Sequence, residues 1–508
     1  MLNNYQSDRI LKNHYSIGYD IGSSSIKAAL YNVITKKPEV IVRHPEIEME
    51  ISAPEVGWAE QDPAQWWNNL IICTHKLLAE TGVDPHLILS IGISYQMHGL
   101  VLVDAKMEVL RPAIIWCDSR AINYGNKAFA DMGNEFCLTH MLNSPGNFTA
   151  SKLKWVKEHE PEVYDKIYKF MLPGDYIHMK MTDQINTTIG GLSEAVLWNF
   201  KANRPAFEVM DYYGFDYGML PDLVDTFCTQ GVLTPKSSEM LGLSSATPVT
   251  YRAGDQPNNA FSLHVMQPNE IAATGGTSGV VYGVTDKLIY DEASRINSFA
   301  HVNHSVDVPR IGSLLCINGA GIQYAWIRQQ IASAGLSYDD MEVLASKIPV
   351  GSEGLRICPF GNGSERMLGD KNTGAQINNL QFNLHSKNHF YRAGLEGIAF
   401  SFVYGCELLK VLGMPISIIK AGNDNLFRSN ISSHSIVQLL DCSIYVFDTT
   451  GAVGAAKASL IGGGFAGMDE ALTNDEIVRV FEPDKNSQQY HDAYQLWKND
   501  LEILIKNR

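Results

Sequence analysis

The sequence predicts an α/β protein of two domains, and three observations carry that expectation. A chain of 508 residues exceeds what one hydrophobic core usually supports. β-rich runs and helical spacings are interspersed along the whole length, with no low-complexity linker. One pattern is also used twice, about 250 residues apart: a β-rich run, a turn of small residues, and a second β-rich run. In the first copy, Tyr15-Ser16-Ile17-Gly18-Tyr19-Asp20-Ile21 enters Gly22-Ser23-Ser24-Ser25 and leaves through Ile26-Lys27-Ala28-Ala29-Leu30-Tyr31. In the second, Ile271-Ala272-Ala273-Thr274 enters Gly275-Gly276-Thr277-Ser278-Gly279 and leaves through Val280-Val281-Tyr282. Such turns let backbone N–H groups converge on one point, a concavity suited to anions. Either turn alone is ordinary, since any hairpin needs Gly or Ser. The matched pair implies two domains sharing a polyphosphate.

The elements follow in order. Asp62-Pro63-Ala64-Gln65 offers an N-cap, a proline at the first helical position and a capping-box partner. Trp66, Leu70, Cys73 and Leu77 then keep helical spacing to a stop at Gly82. Residues 88–94 read as a buried strand, 100–103 and 109–110 as strands flanking a turn, and 113–116 as a further strand. Helices are expected over 322–334, stopped by Gly335, and over 390–412, stopped by Gly413. The small-residue run 451–458 reads as a helix that is closely packed or faces a ligand. A terminal helix over 490–504 has no role that its residues reveal. The domain boundary is placed near residue 250, giving domains 1–250 and 251–508. No short-period repeat occurs, which excludes solenoids and propellers.

Composition narrows the function. Hydrophobic residues make up 45% and charged residues 19%, which are globular values. No run of eighteen apolar residues appears, and Met1-Leu2-Asn3-Asn4-Tyr5-Gln6 lacks a signal-peptide core, so a soluble protein is expected. The eight cysteines are scattered without a C-x-x-C pair, which argues against a zinc site or disulfide framework and for a reducing cytoplasm. A formal net charge of −15 disfavours nucleic acid as a partner. Phosphates bound here must be neutralised mainly by backbone dipoles and a metal ion.

Several side chains could carry chemistry. Asp20 ends the first strand beside the first turn; a carboxylate next to a polyphosphate suits Mg²⁺, directly or through water, though it could also cap the turn. Lys27 reaches toward the same turn as a point charge, or is solvated. Gln96-Met97-His98-Gly99 follows an apolar strand, where ligand-contacting loops of α/β folds gather, and His98 can exchange hydrogen bonds with a hydroxyl. Trp116-Cys117-Asp118-Ser119-Arg120 ends another strand; its aromatic could close a pocket, while Asp118 and Arg120 could pair with each other. In Arg252-Ala253-Gly254-Asp255-Gln256-Pro257-Asn258-Asn259, Asp255 could accept the proton of a hydroxyl attacking phosphorus, cap the helix that follows, or do both.

Together these residues resemble the FGGY family of carbohydrate kinases over nearly the whole chain. Asp20-Ile21-Gly22-Ser23-Ser24-Ser25-Ile26-Lys27 is similar to the family's first phosphate loop, and Gly57-Trp58-Ala59-Glu60-Gln61-Asp62-Pro63 to its Gly-Trp-x-Glu-Gln-Asp-Pro run. Gln96-Met97-His98-Gly99 and Trp116-x-Asp118-x-Arg120 take the form carried by members that act on xylulose. Lys152-Leu153-Lys154-Trp155-Val156 and Phe390-x-x-Ala393-Gly394-Leu395-Glu396 resemble the two family signatures. The resemblance implies two ribonuclease H-like domains of the actin/hexokinase type around a deep cleft. It implies Asp255 as catalytic base, Asp20 at the metal–phosphate site, and Met97, His98, Asp255 and Gln256 as sugar contacts. It implies ATP and Mg²⁺, with Gly22, Ser23, Ser24, Lys27, Gly276, Thr277, Gly319, Gly422 and Asn423 about the nucleotide.

Two loops depart from the family pattern: Lys420-Ala421-Gly422-Asn423-Asp424-Asn425 stands for Gly-Gly-Gly-Ala-x-Ser, and Gly363-Ser364-Glu365-Arg366-Met367-Leu368 for Ser-Gly-Glu-Arg-Thr-Pro. The implied reaction is phosphorylation of a ketopentose, D-xylulose first, at its terminal primary hydroxyl. Ribulose or gluconate as acceptor, and a non-catalytic sugar- and nucleotide-binding regulator, are the competing readings. The expected partners are a small sugar and ATP, with no nucleic acid and no membrane. A homodimer is an assembly left open.

Overall fold

The computed structural model describes residues 14–423, 426–473, 477–484 and 487–507. The chain forms two compact units. The first holds the described residues of Met1–Ser262, with Phe299–Pro309 and Thr450–Thr473; the second holds those of Leu263–Ser298, Arg310–Thr449 and Asn474–Arg508. The first crossing thus falls after Ser262, past the boundary expected near residue 250, and Asp255 lies in the first unit. The reason is strand pairing: the residues just before Asp255 form a strand inside the first sheet.

That sheet has six strands: β1 (Tyr15–Ile21), β2 (Ile26–Asn32), β3 (Lys37–His44), β4 (Ile88–Tyr95), β5 (Phe227–Val232) and β6 (Pro248–Gly254), in the order β5-β6-β4-β1-β2-β3. β1, β2 and β3 form an antiparallel meander, β4 is parallel to β1 and β6 to β4, and β5 closes the edge antiparallel. The central strands β1 and β4 are buried almost throughout, as strands covered on both faces must be.

In the second unit six consecutive strands of a seven-stranded sheet repeat the plan. They are β7 (Glu270–Gly275), β8 (Gly279–Thr285), β9 (Ile311–Ile317), β10 (Ile418–Gly422), β11 (Ser443–Phe447) and β12 (Ile477–Phe481), in the order β9-β8-β7-β10-β11-β12. β7, β8 and β9 are antiparallel neighbours, β10 and β11 run parallel to β7, and β12 is antiparallel. Each unit therefore carries the ribonuclease H-like order once, a meander followed by two parallel strands. The two turns of the sequence are the equivalent β1–β2 and β7–β8 connections.

The helix Pro63–Thr81 matches its signals: the Asp62 side chain accepts from the Ala64 amide, Trp66, Leu70, Cys73 and Leu77 are buried, and Gly82 ends it at φ 63°. The helix expected over 322–334 is shifted to Ala320–Gln330, and the long helix spans Lys387–Val411. The C-terminal helix Gln488–Lys506 is an integral wall of the second unit. It buries Tyr494, Trp497, Leu501 and Leu504, and the Trp497 indole donates to the Ile357 carbonyl at 2.9 Å.

The small-residue helix Gly451–Gly462 returns to the first unit and is closely packed, with Thr450 capping it. It lies so near the sheet that a Cβ at Gly18 would stand 1.9 Å from the Ala452 carbonyl oxygen and 2.3 Å from the Ala456 nitrogen. Hydroxyls stitch the contact: Ser16 donates to the Ala456 carbonyl at 2.9 Å and Thr250 to the Ser459 carbonyl at 2.6 Å. Among the described residues, no helix is long and apolar enough to cross a membrane. All eight cysteines are free thiols.

Candidate functional site

The parallel register of the first sheet brings strand ends together. Asp20 pairs with Ser94 across β1 and β4, and Ser94 with Ala253 across β4 and β6, two residues before Asp255. The Ser94 hydroxyl donates to Asp20 Oδ1 at 3.2 Å, and Lys27 Nζ stands 3.9 Å from Asp20 Oδ2. Lys27 is 43% exposed in its side chain, so this contact is loose and solvated. The first helical turn of Gly451–Gly462 sits against Asp20, where a Cβ on Gly451 would lie 3.1 Å from the carboxyl carbon.

The turn itself is held from below. The Gly22 amide donates to the Ser25 carbonyl at 3.2 Å and the Met49 amide to the Ser24 carbonyl at 2.8 Å. Gln61 Nε2 donates to the Ser23 carbonyl at 2.7 Å, while Gln61 Oε1 accepts from the Trp66 indole at 3.1 Å. The Gly-Trp-x-Glu-Gln-Asp-Pro run thus braces the first turn through one glutamine.

Asp255 opens the helix Asp255–Ser262 at the end of β6 and is half-buried. Burial first, and the nearby Asp20 charge second, push its carboxyl up from 3.8 to about 7; hydrogen bonds from Gln256 and from its own amide oppose the rise. A carboxylate so placed titrates near neutrality, as a general base operating near pH 7 requires. Asp255 thus stands as the first residue of the helix, with its carboxyl raised toward neutrality. Asn258 Nδ2 ties that helix to the Gly451 carbonyl at 2.9 Å.

Met97 lines a narrow cavity of the first unit with Thr188, Glu194, Arg252, Gly254 and Phe299, and His98 follows it in the chain. His98 adopts φ 61°, a left-handed conformation uncommon for a side-chain-bearing residue. Its ring lies 4.8 Å from the Phe148 ring and 5.2 Å from that of Phe299. Phe299 comes from the short excursion Phe299–Pro309 into the first unit, pinned where the Ala300 amide donates to Ser193 Oγ at 3.0 Å. Arg252 in the cavity wall is a buried cation, 2.9 Å from Asp175 and 2.8 Å from the Asn186 side-chain oxygen.

Asp118 and Arg120 do pair with each other. Arg120 Nη2 stands 2.7 Å from Asp118 Oδ2 and Nη1 2.6 Å from Glu60 Oε1, with the guanidinium 3.9 Å above the Trp58 ring. Asp118 also accepts from the Ala59 amide at 2.6 Å. This pair is a buried brace rather than a ligand contact, while Trp116 is 53% exposed.

The second unit holds a cavity of about 470 Å³ beside the β7–β8 turn, lined by Gly276 and Thr277 together with Gly321, Tyr324, Tyr338 and Leu426. Gly276 has open space where a Cβ would stand; Gly321 does not, since its Cβ would meet the Gly276 carbonyl oxygen at 2.1 Å. The cavity carries aromatic faces suited to a flat ring: Tyr324 and Tyr338 stack at 5.7 Å and Arg328 lies 4.7 Å over Tyr338. Gly319 is next to the cavity, not on its wall. Its amide donates to buried Glu365 at 2.9 Å, and its Cβ would meet the Pro359 carbonyl oxygen at 1.9 Å. Gly422 ends β10, and the Asn423 amide donates to the Phe447 carbonyl at 2.8 Å. Asp424 and Asn425 of that loop lie outside the described residues.

Among the described residues no three His, Cys, Asp or Glu side chains gather as a metal cluster. Asp20 alone suits an ion held mostly by phosphate oxygens and water, which is how Mg²⁺ binds beside nucleotides. Sequence reasoning missed Glu194, Phe299 and the cavity residues Tyr324 and Tyr338. None sits in a turn motif, and Phe299 belongs to a segment whose unit only the folded chain reveals.

Comparison with known proteins agrees with this layout. Residues 15–262 match the FGGY family of carbohydrate kinases, N-terminal domain, the span that ends at the first crossing between units. The chain is 27% identical to a xylulose kinase of Bacillus subtilis (strain 168), over 97% of this chain and 99% of that one. It is 29% identical to a xylulose kinase of Escherichia coli (strain K12), over 80% and 81% of the two chains. The crystal structure of a xyloylose kinase from Brucella ovis superposes with TM-score 0.88 at 25% identity, covering 97% of this chain and 100% of the other. By sequence, fold and strand-end geometry, the chain belongs to the FGGY family of carbohydrate kinases.

Proposed function

We propose that the protein transfers the γ-phosphoryl group of ATP to the terminal primary hydroxyl of a ketopentose, D-xylulose, giving D-xylulose 5-phosphate. The observation that carries the reading is Asp255, a carboxyl raised to about 7 by burial and then by the Asp20 charge, directly after the strand whose Gly254 lines the same narrow cavity as Met97. The sugar rests against Met97, His98, Asp255 and Gln256. Asp255 orients the attacking hydroxyl and takes its proton as the oxygen–phosphorus bond forms. Because phosphoryl transfer is loose, the base acts late and most of the catalysis is positioning and charge stabilisation.

The nucleotide occupies the second unit's cavity, with Gly276 and Thr277 at the phosphates and the Tyr324 and Tyr338 faces beside the base. Gly22, Ser23, Ser24 and Lys27 serve the phosphates from the first turn, while Gly319, Gly422 and Asn423 support the nucleotide loops. Asp20 would hold Mg²⁺, directly or through water, and the ion would neutralise part of the phosphate charge. The xylulose kinase names of the relatives at 27% and 29% identity support the choice of sugar. Replacement of Asp255 by Asn tests the reading: phosphoryl transfer to D-xylulose is lost while ADP affinity, measured by calorimetry, stays within about twofold. Full transfer activity in that variant would remove Asp255 as the base.

A further inference from the structure

The peptide of His98 is gripped from both sides by groups that no catalytic step uses. Its amide donates to Glu194 Oε2 at 3.2 Å, and its carbonyl accepts from Lys152 Nζ at 2.8 Å. Lys152 also donates to the Ile115 carbonyl at 3.0 Å, and Glu194 Oε1 accepts from the Tyr95 hydroxyl at 2.6 Å. Both side chains are sealed from solvent, Lys152 at 0% and Glu194 at 1% exposure. A buried lysine and a buried glutamate are costly to keep, and each makes a hydrogen bond with the His98 peptide in return. Their shared object is a residue held at φ 61°, a left-handed conformation uncommon for side-chain-bearing residues.

The imidazole is set by the same residue. His98 Nδ1 donates to the Glu194 carbonyl oxygen, which can only accept, at 3.0 Å, and this bond sets the orientation of the ring. We infer that the Glu194 and Lys152 side chains are positioning groups that fix the His98 backbone, with the Glu194 carbonyl orienting the ring, and thereby set affinity and selectivity for the acceptor sugar at His98. The inference rests on the reading of Met97–His98 as the sugar loop. Burial favours the neutral Glu194 carboxyl, and it lowers Lys152 to about 8, so uncharged replacements can keep the geometry where they keep the hydrogen bonds.

The test is steady-state kinetics of the full chain with D-xylulose and D-ribulose, alongside ADP affinity and thermal melting. Glu194→Leu and Lys152→Met are expected to raise the D-xylulose KM at least about tenfold, with kcat and the ATP KM changed less than about threefold. The preference for D-xylulose over D-ribulose narrows in the same variants. Glu194→Gln and Lys152→Arg, which keep hydrogen-bonding reach, restore the KM to within about threefold of the parent. If the apolar replacements do not fold, Glu194→Asp, one methylene shorter, carries the test against Glu194→Gln. Unchanged sugar KM and selectivity in Glu194→Leu and Lys152→Met, or equal losses in the Gln and Leu variants, overturns the inference. His98→Ala separates the two levels: if it leaves the sugar KM unchanged, the sugar-loop reading fails first, whereas a raised KM there with unchanged clamp variants refutes the clamp alone.

Discussion

Replacing Asp255 by Asn should inactivate the protein and make it more stable. The carboxyl is held at about 7 instead of 3.8, chiefly by burial and then by the Asp20 charge. Ionising it in the folded chain therefore costs about 4 kcal/mol more than in the unfolded chain. The sign follows from linkage: with the folded value above the unfolded one, the native state binds the proton more tightly, so stability falls as pH rises from about 4 to about 7. The penalty is full above about pH 7 and absent below about pH 4. Residual solvent access and the lost hydrogen bonds of the carboxylate reduce the gain from Asn to about 2 kcal/mol at pH 8. For a unit of this size that is about 4–8 °C in the midpoint of its melting transition. Calorimetric melting of ligand-free parent and variant at pH 8 and pH 5 measures it. The gain should be clear at pH 8 and mostly gone at pH 5. A variant less stable than the parent at pH 8, or a gain independent of pH, refutes the reasoning.

Other outcomes follow from the same geometry. Asp20→Asn removes the second cause of the Asp255 shift, so the acidic limb of kcat/KM should move about one pH unit lower while kcat falls at least about a hundredfold; an unmoved limb contradicts the coupling. Gly18→Ala drives a Cβ to 1.9 Å from the Ala452 carbonyl oxygen and should cost about 2–4 kcal/mol in denaturant unfolding, without changing the KM of either substrate in protein that remains folded. Gly321→Ala meets the Gly276 carbonyl at 2.1 Å and should raise the ATP KM about tenfold while sparing the sugar KM.

The duplicated plan was legible because strand–turn–strand patterns are local, and Asp20 and Asp255 stood out as carboxylates at strand ends. The same locality explains what was hidden. Thr450–Thr473 and Phe299–Pro309 join the first unit through contacts hundreds of residues from their sequence neighbours, and no periodicity signals that. The small-residue run 451–458 could be read as close-packed or ligand-facing; Gly18 opposite Ala452 shows the packing, and Gly451 at the start of the run faces Asp20. Asp118 and Arg120 do form the pair their spacing allowed, and what the sequence left out is its setting over the Trp58 ring. Glu194 and Lys152 carried no turn or spacing signal, since their importance arises only from the peptide they both grip. The boundary near residue 250 was set too early because β6 pairs inside the first sheet, which a lone strand pattern does not disclose.

The central claim is tested most directly by ADP release from ATP in the presence of single ketoses, aldoses and polyols. The account predicts strong acceleration by D-xylulose, weaker acceleration by D-ribulose, and little ADP release without sugar. No acceleration by any sugar, or ATP turnover indifferent to sugar, would contradict it.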